Sequence, residues 1–333
     1  MTSLSRFDTK LKKKKGRNWL YIFELIILLG AFFYFSHDFG DSTDSSTAKK
    51  KKDNLFAKLE LADHTVMQSF AIDETNKNIY VAQAKSSTTQ NVAESYVITR
   101  CTLDGRMLDK MTLKYGGHGT NIGVEVNSKG VYIWSSYDQV NKKGVSKGHD
   151  LVRFKYKAGA TYTPSSSDLK RYSKLINTSS SVQVATTIDN ANRRLAVRQR
   201  QGDKTKIDIY NLDDVLKGDN HKLHTLSISK ELYYLQGFSL ENNYLYWRTG
   251  DTNEERYKDY VSIFNISTGK LMTQIHETVG IDTMKHESNF REPEGVFLYT
   301  NPDTGKKSLL VGVVTGASGK RFYRIYKTPV PLN

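Results

Sequence analysis

A single cysteine, Cys101, stands in a chain of 333 residues. No intrachain disulfide can form, and no cysteine-based metal site can exist. Prolines number five, so proline-rich linkers are excluded. The eight histidines form no H-E-x-x-H pattern, because His286-Glu287 continues Ser-Asn-Phe. That removes a zinc hydrolase of the common type. The glycine-rich run GGHGTNIG (116–123) fails the G-x-G-x-x-G spacing, has no βαβ context and lacks the G-K-[ST] of a P-loop. DETNKN (73–78) and DNANRR (189–194) lack the full ligand spacing of a calcium loop. Neither a cofactor nor a metal is expected. Convincing amphipathic helix is also scarce.

What is present begins with NWLYIFELIILLGAFFYF (18–35), interrupted by Glu24. Seven basic residues and one acid, Asp8, precede it. Eighteen helical residues cover about 27 Å, near the lower limit for a bilayer core. The basic flank predicts a cytoplasmic segment 1–17, a transmembrane signal-anchor 18–35 and an extracellular remainder. The bulky end Phe32-Phe33-Tyr34-Phe35 fits a processing site poorly; cleavage there would instead release a secreted protein. Residues 36–54 (with DSTDSSTAKKKKD) lack apolar periodicity and read as a flexible, disordered stalk. The reading is thus a single-pass cell-membrane protein with its C-terminal domain, 55–333, outside.

The first 17 residues carry +6, Glu24 removes one charge and 36–54 balances, so +9 of the formal +14 lies on 55–333. A basic domain outside a cell suits a polyanionic neighbour such as a wall polymer or anionic lipid. Its basic residues are scattered, and nucleic acid is not expected as a partner. The oligomeric state is not readable.

Domain 55–333 is a succession of short strand-like runs bounded by Gly, Asn, Asp or Ser turns. NIYVAQA (78–84), SYVITRC (95–101), GVYIWSS (130–136), KIDIYNL (206–212), YLYWRTG (244–250) and SLLVGVV (308–314) are examples. Stretches 165–176 and 212–218 read as helical turns. The strands recur in units that open near Gln68, His118, Gln183, Gln236 and Arg291, at steps of 50, 65, 53 and 55 residues. A period near 50 made of about four strands is a propeller blade. The expected fold is therefore an all-β, five-bladed β-propeller, preceded by one N-terminal transmembrane helix and a flexible stalk.

MQSFAIDETNKNIYVAQ, KYGGHGTNIGVE with GVYIWSS, LQGFSLENNYLYWRTG, and REPEG with LLVGVVTGASGKR resemble the teichoic-acid-biosynthesis-C-like and phage receptor-binding β-propeller family. Helveticin J-like class III bacteriocins are grouped with it. The resemblance covers roughly 60–330. It implies a five-bladed propeller, engagement of wall teichoic acid as in the phage members, or killing of related Gram-positive bacteria as in the bacteriocins. It brings no catalytic mechanism.

In a propeller the first strand of each blade lines the channel, so the unit markers are expected to converge on one face. The ligand-binding candidates are Gln68, His118, Gln183, Gln236, Arg291, Glu292 and Glu294. Amides, an imidazole and a guanidinium suit sugar or phosphate, and Arg291 offers a two-pronged grip on phosphate. Glu292 and Glu294 share a face of an extended strand and suit acid–base work or hard cations. A structural pairing of these groups with Arg291 is the competing reading. Glu125, Tyr234 and Trp134 are secondary candidates: a carboxylate for a His118 base, and aromatics for stacking. No residue is assigned to catalysis. Binding of a cell-wall polyanion or teichoic-acid-like glycan without catalysis leads; an exported bacteriocin and a hydrolase or transferase of wall polymers are the alternatives.

Overall fold

Alternating apolar residues and recurrent Asx turns divide the described residues into 21 strands. The computed structural model describes residues 54–85, 92–229, 232, 234–253 and 255–331. Strand β1 (Asn54–Leu59) comes first but belongs to the last blade. Blade 1 holds β2 (Met67–Asp73), β3 (Asn78–Lys85), β4 (Ser95–Thr102) and β5 (Met107–Leu113). Blade 2 holds β6 (Gly123–Asn127), β7 (Gly130–Val140) and β8 (Ser146–Lys155). Beyond them β9 (Thr161–Tyr162) returns to pair parallel with β5, and β10 (Lys170–Arg171) completes blade 2 on β8.

Blade 3 is β11 (Val182–Asp189), β12 (Arg194–Gln201), β13 (Lys204–Asn211) and β14 (Lys222–Ile228). Blade 4 is β15 (Leu235–Glu241), β16 (Tyr244–Thr249), β17 (Tyr260–Asn265) and β18 (Leu271–His276). Blade 5 is β19 (Arg291–Thr300), β20 (Lys307–Thr315) and β21 (Phe322–Thr328), with β1 antiparallel to β21 as its outer strand. The inner strands β2, β6, β11, β15 and β19 pack each against the next, and β19 packs against β2, so the ring is closed. The expected five-bladed propeller is the observed fold.

Five separate apolar cores fill the five joints between blades. Tyr80, Ile98 and Ile133 lie between blades 1 and 2, Trp134, Val184 and Leu195 between 2 and 3. Ala196, Phe238 and Trp247 join 3 to 4; Tyr246, Val296 and Val311 join 4 to 5; Phe70, Cys101 and Leu310 join 5 to 1. Cys101 is fully buried, and burial pushes its thiol up to about 12, so it is an inert core residue.

The two calcium-like runs are turns. Asp73 accepts the backbone N–H of Asn76, and Asp189 that of Asn192, each also accepting the amide side chain. The helical turn expected over 212–218 is α1 (Leu212–Lys217), capped by Asn211, and 165–176 contains a 3-10 turn at Ser173–Leu175. A further helix, α2 (Ile281–His286), links blades 4 and 5.

The expected membrane topology needs correction. Among the described residues no helix is long and apolar enough to cross a membrane. The segments 1–17, 18–35 and 36–53 lie outside the described residues, and Asn54, assigned to the stalk, instead opens β1. Neither an anchor nor a stalk is part of the described fold. The membrane partner, the single-pass topology and the cell-membrane location drawn from them are not retained.

Candidate functional site at the channel mouth

Antiparallel order puts the start of every inner strand on the same face as the loops joining the second and third strands of each blade. That face gathers Glu94, the 114–122 loop, Tyr234, the 250–259 loop, the 316–321 loop and the beginning of β19.

Three inner strands carry a register shift near this face. It falls at Gln68 in β2, at Gln236 in β15 and across Glu294 and Gly295 in β19. A bulge adds residues without a ladder partner and re-aims them. In β19 the bulge requires glycine: Gly295 has φ +75°, and a Cβ there would sit 2.6 Å from the Phe70 ring. Glu292 is half-buried and Glu294 only 3% exposed. Among the described residues, neither carboxyl has a hydrogen-bond or ion-pair partner. Burial raises Glu292 to about 7, helped by the negative charge of Asp251 and opposed by Arg321 and His118. Burial, then the charge of Glu292, raises Glu294 well above the carboxylate range, and Arg248 opposes this only in part. The site therefore holds two carboxyl groups biased toward the neutral acid.

Asp251 is carried to this place by close backbone packing. A Cβ on Gly250 would lie 2.6 Å from Pro293 Cγ, and the Gly250 carbonyl accepts from Gln236 Nε2 at 2.9 Å. The Gly250 N–H donates to the Tyr234 carbonyl at 3.1 Å. Tyr234, 43% exposed with φ +58°, packs on Tyr257 with ring centroids 3.9 Å apart. Arg256 lies 5.0 Å from the Tyr257 ring. Arg321 covers Phe290 at 3.5 Å and donates to the Gly316 carbonyl. His118 Nδ1 lies 2.6 Å from Glu94 Oε2, both half exposed; this hydrogen bond, against burial, lowers Glu94.

The sequence candidates thus separate. His118, Gln236, Glu292 and Glu294 come to the mouth. Gln68 is half-buried in its bulge, and Gln183 is exposed on β11. Arg291 is buried and committed to the fold: Nη2 donates to Asp259 Oδ2 at 2.6 Å and Nε to the Val279 carbonyl at 2.8 Å. It does not offer the expected phosphate fork. Glu125 is fully buried away from His118, accepting from Trp134 Nε1 (2.8 Å), Arg153 (2.6 and 3.0 Å) and Asn127 (2.8 Å). Trp134 is likewise fully buried and offers no stacking surface. Glu94, Asp251, Tyr257 and Arg321 were missed because they lie on loops outside the strand repeat. The adjacency of Asp251 to the YLYWRTG run was the one available signal. Among the described residues no cluster of His, Cys, Asp or Glu could hold a metal ion.

The opposite mouth is different in kind. A small cavity of about 80 Å³ is lined there by Glu74, Asp189 and Glu241 among others. Burial raises Glu74 to about 7, but it accepts the Thr300 N–H, and Glu241 pairs with Lys307 at 2.6 Å.

Comparison with known proteins places this geometry. Residues 66–327 match the family described as the phage five-bladed β-propeller receptor-binding platform domain. A protein of Bacillus subtilis (strain 168), named putative major teichoic acid biosynthesis protein C, is 47% identical over 277 residues, covering 82% of this chain and 61% of its own. The tail fiber of Staphylococcus aureus phage P68 superposes with a TM-score of 0.69 at 27% identity, over 83% of this chain and 52% of the fiber. The chain thus spans less than two thirds of either relative. These matches give no support to the helveticin J-like part of the resemblance. The expectation that leaned against an enzyme is also corrected. The similar folds include a thermostable family-43 glycoside hydrolase (TM-score 0.47, 11% identity, 80% of this chain and 90% of that one). This likeness is one of fold and assigns no activity. By the extent of the match over 66–327, the chain belongs to the phage five-bladed β-propeller receptor-binding platform family.

Proposed function

We propose that the mouth formed by Tyr234, Tyr257, Asp251, Glu292 and Glu294 binds a cell-wall-associated polyanion or glycan. The observation that carries this reading is the Tyr234–Tyr257 pair, exposed at Tyr234 and half-buried at Tyr257, on the same face as two unpartnered carboxyls, half-buried Glu292 and buried Glu294. Aromatic faces stack on sugar rings, and polar groups left without protein partners at a concave mouth are free to bond a ligand. The relatives agree in kind, one being named for teichoic acid biosynthesis and the other a phage tail fiber.

A second reading, hydrolysis or transfer on the bound polymer, is favoured by one observation. Glu292, raised to about 7 and unpaired, can both give and take a proton near neutral pH. Asp251 is the neighbouring carboxyl able to serve the opposite step.

The test is retention of the purified full chain on isolated Gram-positive walls, intact or stripped of teichoic acid, with the supernatant assayed for released polymer. Retention on intact walls alone is expected. Equal retention on both kinds of wall would refute a teichoic-acid-like ligand. Polymer release that is lost in Glu292→Gln while retention persists would establish the second reading.

A further inference from the structure

Glu292 and Glu294 stand two apart on β19 with Pro293 between them, and Glu294 is almost completely enclosed without a partner. Charged groups reach Glu292 from four sides. Asp251 comes from the loop after β16 and Arg321 from the loop before β21. His118, with its partner Glu94, comes from the loop before β6, and Glu294 shares the strand. Arg248 of β16 faces Glu294 but is bound to Asp259 and to two carbonyls. None of these groups forms an ion pair with Glu292 or Glu294. Two ionised carboxylates here would repel a phosphate-bearing chain, since like charges at a partly dry site are weakly screened.

We propose that Glu292 and Glu294 meet the polymer as neutral carboxylic acids that donate O–H hydrogen bonds to the oxygens of a polyol-phosphate chain, so that the grip loosens when Glu292 ionises. The inference rests on the wall-polymer reading above. A neutral acid is a donor as well as an acceptor, whereas the carboxylate only accepts. The direction of both shifts agrees with this: burial biases Glu294 toward the neutral acid, and Glu292 changes state near pH 7. Pro293 keeps Glu292 extended, and the bulge fixes Glu294 beside it. The donors are therefore preorganised.

The experiment is equilibrium binding of the full chain to soluble poly(glycerol phosphate) at pH 6 and pH 8, at one ionic strength. For a group titrating at about 7 the neutral fraction falls from about 0.9 to about 0.1, so wild-type affinity should drop about tenfold. Glu292→Gln, a neutral donor at every pH, should bind at pH 8 as tightly as wild type does at pH 6. His118→Gln should keep the wild-type slope, which separates Glu292 from an ordinary histidine titration. A flat wild-type profile would overturn the inference. So would Glu292→Gln binding weakly at pH 6, which would mean that a carboxylate is needed, or a slope that disappears with His118 rather than Glu292. No binding by wild type at either pH, with the fold intact, would refute the wall-polymer reading itself and this inference with it.

Discussion

Replacing Arg248 with methionine tests how blades 4 and 5 are joined. The Arg248 guanidinium is fully buried on β16. It grips Asp259 through Nε to Oδ1 (2.9 Å) and Nη2 to Oδ2 (2.7 Å). Its Nη1 donates to the carbonyls of Gly295 (2.9 Å) and Gly312 (2.5 Å), in the two innermost strands of the next blade. Methionine fills the stem volume but leaves Asp259 with Arg291 alone and two carbonyls without their donor. Removing one member of a buried ion pair costs about 3–5 kcal/mol. At about 2–4 °C per kcal/mol for a chain of this class, Tm should fall by about 6–20 °C. The pH response follows from Asp259. Burial alone would raise its pKa, but the charges and hydrogen bonds of Arg248 and Arg291 override that and hold it below the ordinary range. A depressed carboxyl stabilises the fold above its unfolded value, about 3.9, and that contribution fades as pH falls through the folded value. Wild type should therefore lose stability on acidification below about pH 4, and Arg248→Met should lose less. Thermal unfolding followed by circular dichroism at pH 7 and pH 3.5 measures both. A loss under about 1 kcal/mol at pH 7, or identical acid dependence in the two proteins, would refute the assignment of this triad as the joint between the blades.

Glu125→Gln should lower stability by about 3–5 kcal/mol in the same assay, because it removes the charge that Arg153 needs inside the blade 2–3 joint; wild-type stability would disprove this. Gly312→Ala should destabilise by about 1–3 kcal/mol, since the added Cβ would lie 2.0 Å from the Glu294 carbonyl oxygen. An unchanged Tm there would mean β19 and β20 are less tightly packed than described. Tyr257→Ala should weaken retention on intact walls about 2–12-fold, the equivalent of about 0.5–1.5 kcal/mol of aromatic contact, with Tm unchanged. Undiminished retention would remove the tyrosine pair from the site.

The blade repeat was legible because each blade restates one local grammar. The runs 67–83, 182–199 and 235–250 each place an apolar strand, an Asx or Asn-containing turn and a second strand in the same order. The ladder then forms with little long-range choice. The position of Glu292 and Glu294 at the start of an inner strand was legible for the same reason. Arg291 misled because its partner, Asp259, lies 32 positions away across another blade. Glu125 misled because three of its donors come from different strands or turns of one blade. Tyr257 and Asp251 carry no strand periodicity, and only the chain path after β16 brings Tyr257 onto Tyr234 and Gly250, next to Asp251, against Pro293. Pairings within a strand register can be read from alternation; pairings that depend on how one blade leans on the next cannot.

Closure of the fifth blade by β1 has a consequence for the order of events during synthesis. Leu59 pairs with Tyr323, and the Tyr323 hydroxyl bonds the Asp63 carbonyl from 260 positions away. The earliest strand of the ring is made long before its partner exists. Until β21 emerges, β1 carries unpaired N–H and C=O groups and the apolar side chains of Ala57 and Leu59, both buried in the finished ring. An unpaired strand edge is a template for the wrong neighbour. Four blades can assemble from sequential hairpins while the chain is still growing, but the fifth must wait for both termini of the ring. The closing step is thus a single, late, long-range event, and the slowest to be reached by a chain released one residue at a time.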